Sequence, residues 1–212
     1  MCSEVIEEYN KQMKKLAERL MQLMLLSLGL TEDIKWAGPM NEFRDITSVL
    51  QLNSYPACPN PNQAMGLAAH TDSSLLTILY QSRTSGLQVL RPEDHHSPAR
   101  WVMVPPIPGA LVVNVGDLCH ILSNGRFQSV LHRAVVNRTH HRVSAAYICG
   151  PPAHVKVSPI TMPVGRYPAY RPVTWREYLG LKARLFDKAL ASIKVVSEED
   201  HNSSNACPLS CV

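Results

Sequence analysis

His70, Asp72 and His132 belong to the residue types that ligate metals, and their spacing is the first chemical signal in the chain. His70 and Asp72 form an H-x-D pair, and His132 follows sixty residues after Asp72. Two imidazoles and one carboxylate gathered on one face of an ion leave its remaining positions open. That is the facial donor set of non-haem Fe(II) oxygenases, in which a co-substrate and dioxygen must share the metal. An isolated H-x-D pair is weak evidence, because histidine and aspartate often share a turn for structural reasons. Arg142-Val143-Ser144, starting ten residues beyond His132, strengthens it. Arg142 and Ser144 alternate along an extended backbone and so share a face. A guanidinium gripping a carboxylate at two points, helped by a hydroxyl, suits a dicarboxylate buried in a barrel. Arg142 alone reads equally as a surface charge, but Val143, Ala145, Ala146, Tyr147 and Ile148 give its strand an apolar setting. An arginine left without a partner there would be destabilising.

The other histidines are assigned structural roles. His95 and His96 lie in a Pro/Asp/Ser loop, and His140, His141, His154 and His201 read as surface residues. His120, near Asp117, is a possible decoy ligand. Because it precedes a turn at Asn124-Gly125, core packing or a hydrogen bond is favoured for it.

The elements that must position these groups follow from periodicity. Residues 3–29 read as a helix capped by Ser3 and stopped by Gly29, with Val5, Ile6, Tyr9, Met13, Leu16, Leu20, Leu23 and Met24 as its packing face. A short second helix is expected near 31–38. From residue 47 the period shortens to that of strands: Ser48–Asn53, Leu75–Tyr80, Leu87–Leu90, Trp101–Val104, Ala110–Val115, Arg133–Asn137, Arg142–Cys149 and His154–Ser158. Turn clusters such as Arg83-Thr84-Ser85-Gly86 and Ile107-Pro108-Gly109 separate them. Eight short strands at this spacing predict a mainly β fold with flanking helices: a double-stranded β-helix, or cupin-like jelly roll. His70 and Asp72 are expected just before one strand and His132 just before another, so that a jelly roll brings them together. Helical spacing returns over 174–195, interrupted by Lys182. The expected organisation is a helical segment (1–46) packing on the barrel, a jelly-roll domain (47–165), a C-terminal helix (166–196) and a polar, disordered tail (197–212).

Composition excludes several classes. A chain of 212 residues suits one domain with a sizeable core. The net charge of +4 is mild, and the densest basic cluster (Arg133, Arg138, His140, His141, Arg142) reads as a solvated hairpin, so no nucleic-acid partner is expected. No apolar run approaches the roughly 20 residues of a membrane span. The N-terminus has no basic stretch and apolar core of a secretory signal, so a cytoplasmic protein is expected. The six cysteines show no CxxC spacing and are expected as reduced thiols rather than zinc ligands. Asn137-Arg138-Thr139 and Asn202-Ser203-Ser204 match a glycosylation pattern that would then stay idle.

At its candidate ligands the chain resembles the plant 2-oxoglutarate- and Fe(II)-dependent dioxygenases, over residues 3 to about 195. Asn53-Ser54-Tyr55-Pro56 with Cys58-Pro59 resembles that family's N-x-Y-P-x-C-P segment, which implies that Asn53 and Tyr55 approach 2-oxoglutarate. Within the family the chain is most similar to the gibberellin 3-beta-hydroxylases, through Gly66–Ser73 (GLAAHTDS), Leu75–Gln81 (LLTILYQ), Gly109–Leu118 (GALVVNVGDL), His120–Phe127 (HILSNGRF), Ser129–Thr139 (SVLHRAVVNRT) and Pro172–Leu179 (PVTWREYL). The resemblance implies Fe(II) on His70, Asp72 and His132, with 2-oxoglutarate as co-substrate and its far carboxylate on Arg142 and Ser144. It also implies dioxygen, ascorbate as a reductant, and a gibberellin-like diterpenoid acid hydroxylated at carbon 3 by a monomeric enzyme. Rival expectations are a related dioxygenase acting on another gibberellin carbon or a flavonoid, and a non-catalytic form that binds hormone or a partner. Family members carry well over a hundred further residues before the helix at Ser3, so an N-terminally shortened form is expected, with an organic-substrate pocket that is incomplete.

Overall fold

A computed structural model of the chain describes residues 2–29, 46–160 and 167–195. The expected helix near 31–38, His201 and the polar tail lie outside the described residues. Helix α1 (Cys2–Ser27) comes first. Strands β1 (Thr47–Tyr55), β2 (Met65–His70), β3 (Leu76–Gln81), β4 (Leu87–Arg91), β5 (Arg100–Met103) and β6 (Val112–Val115) follow. Then come helix α2 (Asp117–Leu122), strands β7 (His132–Val135), β8 (Arg142–Gly150), β9 (Lys156–Val157) and β10 (Val173–Thr174), and helix α3 (Trp175–Leu185). Eight strands form two four-stranded antiparallel sheets, ordered β1-β8-β3-β6 and β2-β7-β4-β5, while β9 and β10 pair separately. This is the jelly roll that the strand spacing predicts.

Two corrections concern its strands. His154–Ser158 contributes only the two-residue β9, outside both sheets, and the missing jelly-roll strand is β2. Gly66, Ala68 and Ala69 have little strand propensity, and β2 breaks register twice against β7, so its sequence shows no alternation. His70 therefore ends a strand instead of preceding one, and His132 begins one.

The main core lies outside the sandwich. Ala17, Met21 and Leu25 of α1 pack with Leu76 and Ile78 of β3, Tyr147 and Cys149 of β8, Leu118 and Ile121 of α2, and Tyr178 of α3. Burying each of these large side chains contributes about 1.5–3 kcal/mol. The packing face of α1 is thus centred on Ala17, Met21 and Leu25, with Met13, Leu16, Leu20 and Met24 of the expected stripe packed against the same core, whereas Val5, Ile6 and Leu23 are exposed. Helix α1 begins at Cys2, which puts Ser3 inside its first turn, and Gly29 takes φ +81° at the expected stop.

The inner faces of the sheets carry a smaller cluster of Leu79, Leu87 and Ala146. That leaves room between them for polar groups. The expected C-terminal helix ends early: Phe186 adopts φ +50° after Leu185, and only single 3-10 turns follow. A capping box starts α3, with the Glu177 amide donating to Thr174 Oγ1 at 3.1 Å and the Thr174 amide to Glu177 Oε2 at 2.8 Å.

Candidate active site

Strands β2 and β7 place His70 directly opposite His132. Cross-strand partners stand about 5 Å apart at Cβ, which explains how two residues so distant in sequence meet. Their ring centroids are 4.3 Å apart. Each ring is fixed by a carbonyl two residues back: His70 Nδ1 lies 2.8 Å from Ala68 O, and His132 Nδ1 lies 3.1 Å from Val130 O. A carbonyl only accepts, so in the neutral rings Nδ1 carries the hydrogen and Nε2 keeps its lone pair. Asp72 Oδ1 sits 3.6 Å from His70 Nε2 and 3.7 Å from His132 Nε2. Both distances are too long for hydrogen bonds and suit donors arrayed around a common ion. The three donor atoms lie within 4.8 Å of one another. Asp72 Oδ2 is buried with no hydrogen-bond partner among the described residues.

Electrostatics prepare the same three groups for a cation. Burial works against the charged form of Asp72, but the neighbouring His70 and His132 rings and the Thr77 hydroxyl together hold its carboxyl below the usual value. Burial also lowers His132, favouring the neutral ring. His70 goes the other way: burial opposes protonation, yet Asp72 and the Ala68 carbonyl outweigh it and raise its pKa. A carboxylate and two rings presenting bare Nε2 atoms match the donor chemistry of a divalent transition metal.

The second half of the site comes from the opposite sheet. Register pairs Tyr55 with Arg142 and Asn53 with Ser144 across β1 and β8. Arg142 and Ser144 are 1% and 2% exposed, and Val143 between them is exposed, as the alternation predicts. Arg142 Nη2 donates to Gln81 Oε1 at 3.2 Å, and its Cζ lies 5.1 Å over the Tyr55 ring. Arg142 Nε is buried with no hydrogen-bond partner among the described residues, so the fork retains donor capacity for an anion. Burial lowers the Arg142 pKa, and Tyr55 partly counters it.

All seven expected residues line one cavity of about 70 Å³ between the sheets. Arg142 therefore leaves the solvated cluster, and Arg133 does too: it donates to Gln88 Oε1 at 2.7 Å and stacks over Trp101. Thr77 and Asn114 also line the cavity and Gln81 accepts from Arg142, three residues that nothing in the sequence marked out. Gln81 stands opposite Ser144 in the sheet register, a pairing that sequence alone does not reveal. His120 lies away from the cavity, buried, with Nε2 at 2.8 Å from the Tyr170 hydroxyl. Cys58, Cys119 and Cys149 are free thiols, and burial pushes Cys119 and Cys149 up to about 12.

Two imidazoles and a carboxylate at the mouth of a jelly roll, facing a buried guanidinium, define the class of 2-oxo-acid-using iron oxygenases. The chain belongs to the 2OG-Fe(II) oxygenase superfamily, whose family model matches residues 46–151. It is 55% identical over 195 residues to gibberellin 3-beta-dioxygenase 1 of Pisum sativum, covering 91% of this chain and 51% of that protein. It is also 55% identical to gibberellin 3-beta-dioxygenase 1 of Arabidopsis thaliana over 199 residues, covering 92% of this chain and 54% of that protein. The chain thus spans about half the length of the curated relatives it matches. Among solved structures it is similar to JOX2 in complex with 2OG, Fe, and JA. The TM-score there is 0.77 at 34% identity, over 91% of this chain and 56% of the other. It is also similar to a rice dioxygenase for auxin oxidation, with TM-score 0.75 at 28% identity, over 91% of this chain and 63% of the other. Iron and 2-oxoglutarate are the cofactors of this family, and no helix among the described residues is long and apolar enough to cross a membrane.

Proposed function

We propose that this chain hydroxylates a gibberellin at carbon 3, using Fe(II), 2-oxoglutarate and dioxygen and releasing succinate and carbon dioxide. The observation that carries the reaction class is one cavity holding His70, Asp72 and His132 on one side and Arg142 and Ser144 on the other. Fe(II), when bound, supplies the redox chemistry that couples oxidative decarboxylation of the 2-oxo acid to hydroxylation of a C–H bond. His70, Asp72 and His132 hold the ion. Arg142 would hold the distal carboxylate of 2-oxoglutarate through its charged fork. Ser144 donates its hydroxyl to the same group, and Tyr55 and Asn53 border it. The narrow interior excludes water from the reacting centre.

The substrate assignment is supported by the 55% identity to two gibberellin 3-beta-dioxygenases. A second cavity of about 480 Å³ opens beside His70 and Asp72 and is walled by Leu179, Ala183 and Phe186, room for a largely apolar molecule. The neighbours that bind JA or oxidise auxin favour a second reading, in which the substrate is another small plant acid.

Anaerobic titration with Fe(II) and 2-oxoglutarate tests the centre through the visible charge-transfer band of the chelate. The unaltered chain is expected to develop that band, and His70→Ala and Asp72→Ala are expected to abolish it. A band of full strength in either variant would exclude the ligand assignment. Mass spectrometry of the product from a gibberellin then separates carbon 3 from other positions. Incubation with a jasmonate or an auxin separates the two substrate readings.

A further inference from the structure

Thr71, the residue between the two ligands of the H-x-D pair, is gripped from behind by a buried network. Its hydroxyl donates to Asp117 Oδ2 at 2.9 Å and also meets Lys182 Nζ. Asp117 is fully buried, and the same Oδ2 accepts from the Tyr178 hydroxyl at 2.8 Å and faces Lys182 Nζ at 2.8 Å. Burial first, and then Asp117, raise the Tyr178 pKa, so this phenol remains a donor.

The main chain reinforces the grip. The Asp117 amide donates to Asp72 O at 2.7 Å, and the Leu118 amide to Ser74 O at 3.1 Å. Trp175 Nε1 donates to Ser73 Oγ at 3.3 Å. A Cβ at Gly116 would meet Ser74 O at 2.0 Å, so the close approach of α2 to this loop requires glycine there. Lys182 and Tyr178 both belong to α3. The route therefore runs from the C-terminal helix through one buried carboxylate to the loop carrying two of the three metal donors.

We propose that Asp117, Lys182 and Thr71 are positioning residues for the iron ligands. They fix the separation of His70 and Asp72 and make metal affinity depend on the docking of α3. The proposal rests on the reading of His70, Asp72 and His132 as an iron centre. It explains why a lysine interrupts the apolar stripe of α3: its ammonium is the counter-charge of a carboxylate that would otherwise be buried alone.

The test uses the whole chain and Co(II) as a spectroscopic stand-in for Fe(II), with affinity and ligand-field bands read together. Thr71→Val removes only a hydroxyl and is expected to shift the bands and weaken Co(II) binding about 10-fold, the low end of the effect of losing a group bonded directly to a metal ligand. The low end applies because Thr71 acts through the backbone between two ligands. Thr71→Ser restores the hydroxyl and is expected to recover both. Lys182→Met is expected to act like Thr71→Val, checked for folding by circular dichroism. A folded Thr71→Val protein with unaltered Co(II) affinity and spectrum overturns the proposal, whether or not Lys182→Met folds. So does a lowered Tm with no change at the metal, which would mark the network as packing alone. Asp72→Ala separates the two levels. If it abolishes binding while Thr71→Val leaves affinity and spectrum unaltered, only the positioning claim fails; if it leaves binding intact, the iron centre fails with it.

Discussion

Arg142 is buried with an unfilled donor, and that isolation sets how substitutions there behave. Arg142→Lys keeps a charge but loses the planar fork. Charge-assisted hydrogen bonds are worth about 1.5–3 kcal/mol each, so the Kd for 2-oxoglutarate is expected to rise about 10- to 100-fold while metal affinity holds. Titration of the 2-oxo acid into metal-loaded protein checks this, and an unchanged Kd would remove Arg142 from the anchor. Gly86 offers an independent approach. A Cβ there would meet Arg142 Cδ at 2.6 Å and Val135 O at 2.8 Å, so Gly86→Ala is expected to push the guanidinium aside and weaken 2-oxoglutarate without touching the metal. Asn53 and Tyr55 were pointed to only by the resemblance of their segment, whereas His70, Asp72, His132, Arg142 and Ser144 were legible because metal and carboxylate chemistry admit few residue types. Gln81, Thr77 and Asp117 were not, since amides, hydroxyls and carboxylates occur everywhere and only sheet register and burial reveal their work.

Among the elements, α2 is the one the sequence hid most fully. Asp117–Leu122 is a six-residue helix, too short to display a helical period, and its central His120 pointed instead to the turn that follows. The turn exists, with Asn124 and Gly125 at positive φ, and His120 packs as expected. Burial lowers the His120 pKa from its usual 6.5. Below that value the unfolded chain takes up a proton that the folded chain refuses, so stability falls as pH drops until the folded pKa is reached. The Tm of the unaltered chain is expected to decline more steeply from neutrality to mildly acidic pH than that of His120→Gln. Equal slopes would mean the ring titrates freely. Strands were legible wherever an apolar run with β-branched or aromatic residues was bounded by turn clusters, as in β3. They were obscure in β2, where glycine, alanine and broken register erase the alternation.

For the whole molecule, the arrangement of core outside and polar cavity inside means that ligands should add stability the fold does not supply by itself. Each of Fe(II) and 2-oxoglutarate, present at about 100 times its Kd, contributes roughly 2.7 kcal/mol. For a domain of this size that is a Tm rise of about 5–10 °C. Differential scanning calorimetry with and without a chelator checks it, and no shift would mean the cavity binds neither. The jelly roll as a whole was readable from strand count and spacing, because closing two sheets demands many short strands. The location of its main core was not, since apolar residues on β3 read the same whether they face the opposite sheet or a helix.

One consequence follows from the division of labour between the sheets. Two of the candidate metal donors hang from β2 and β7, and the guanidinium rises from β8 in the other sheet. Sheets in such sandwiches stand about 10 Å apart, a gap held by the side chains packed along the whole of both inner faces and not by any single one. A diacid that must touch both walls is therefore measured as if between the jaws of a calliper. Oxaloacetate, one carbon shorter, is expected to fall short of the far jaw, and 2-oxoadipate, one carbon longer, to buckle. On the proposed reading, selection among diacids would follow from the spacing of the walls.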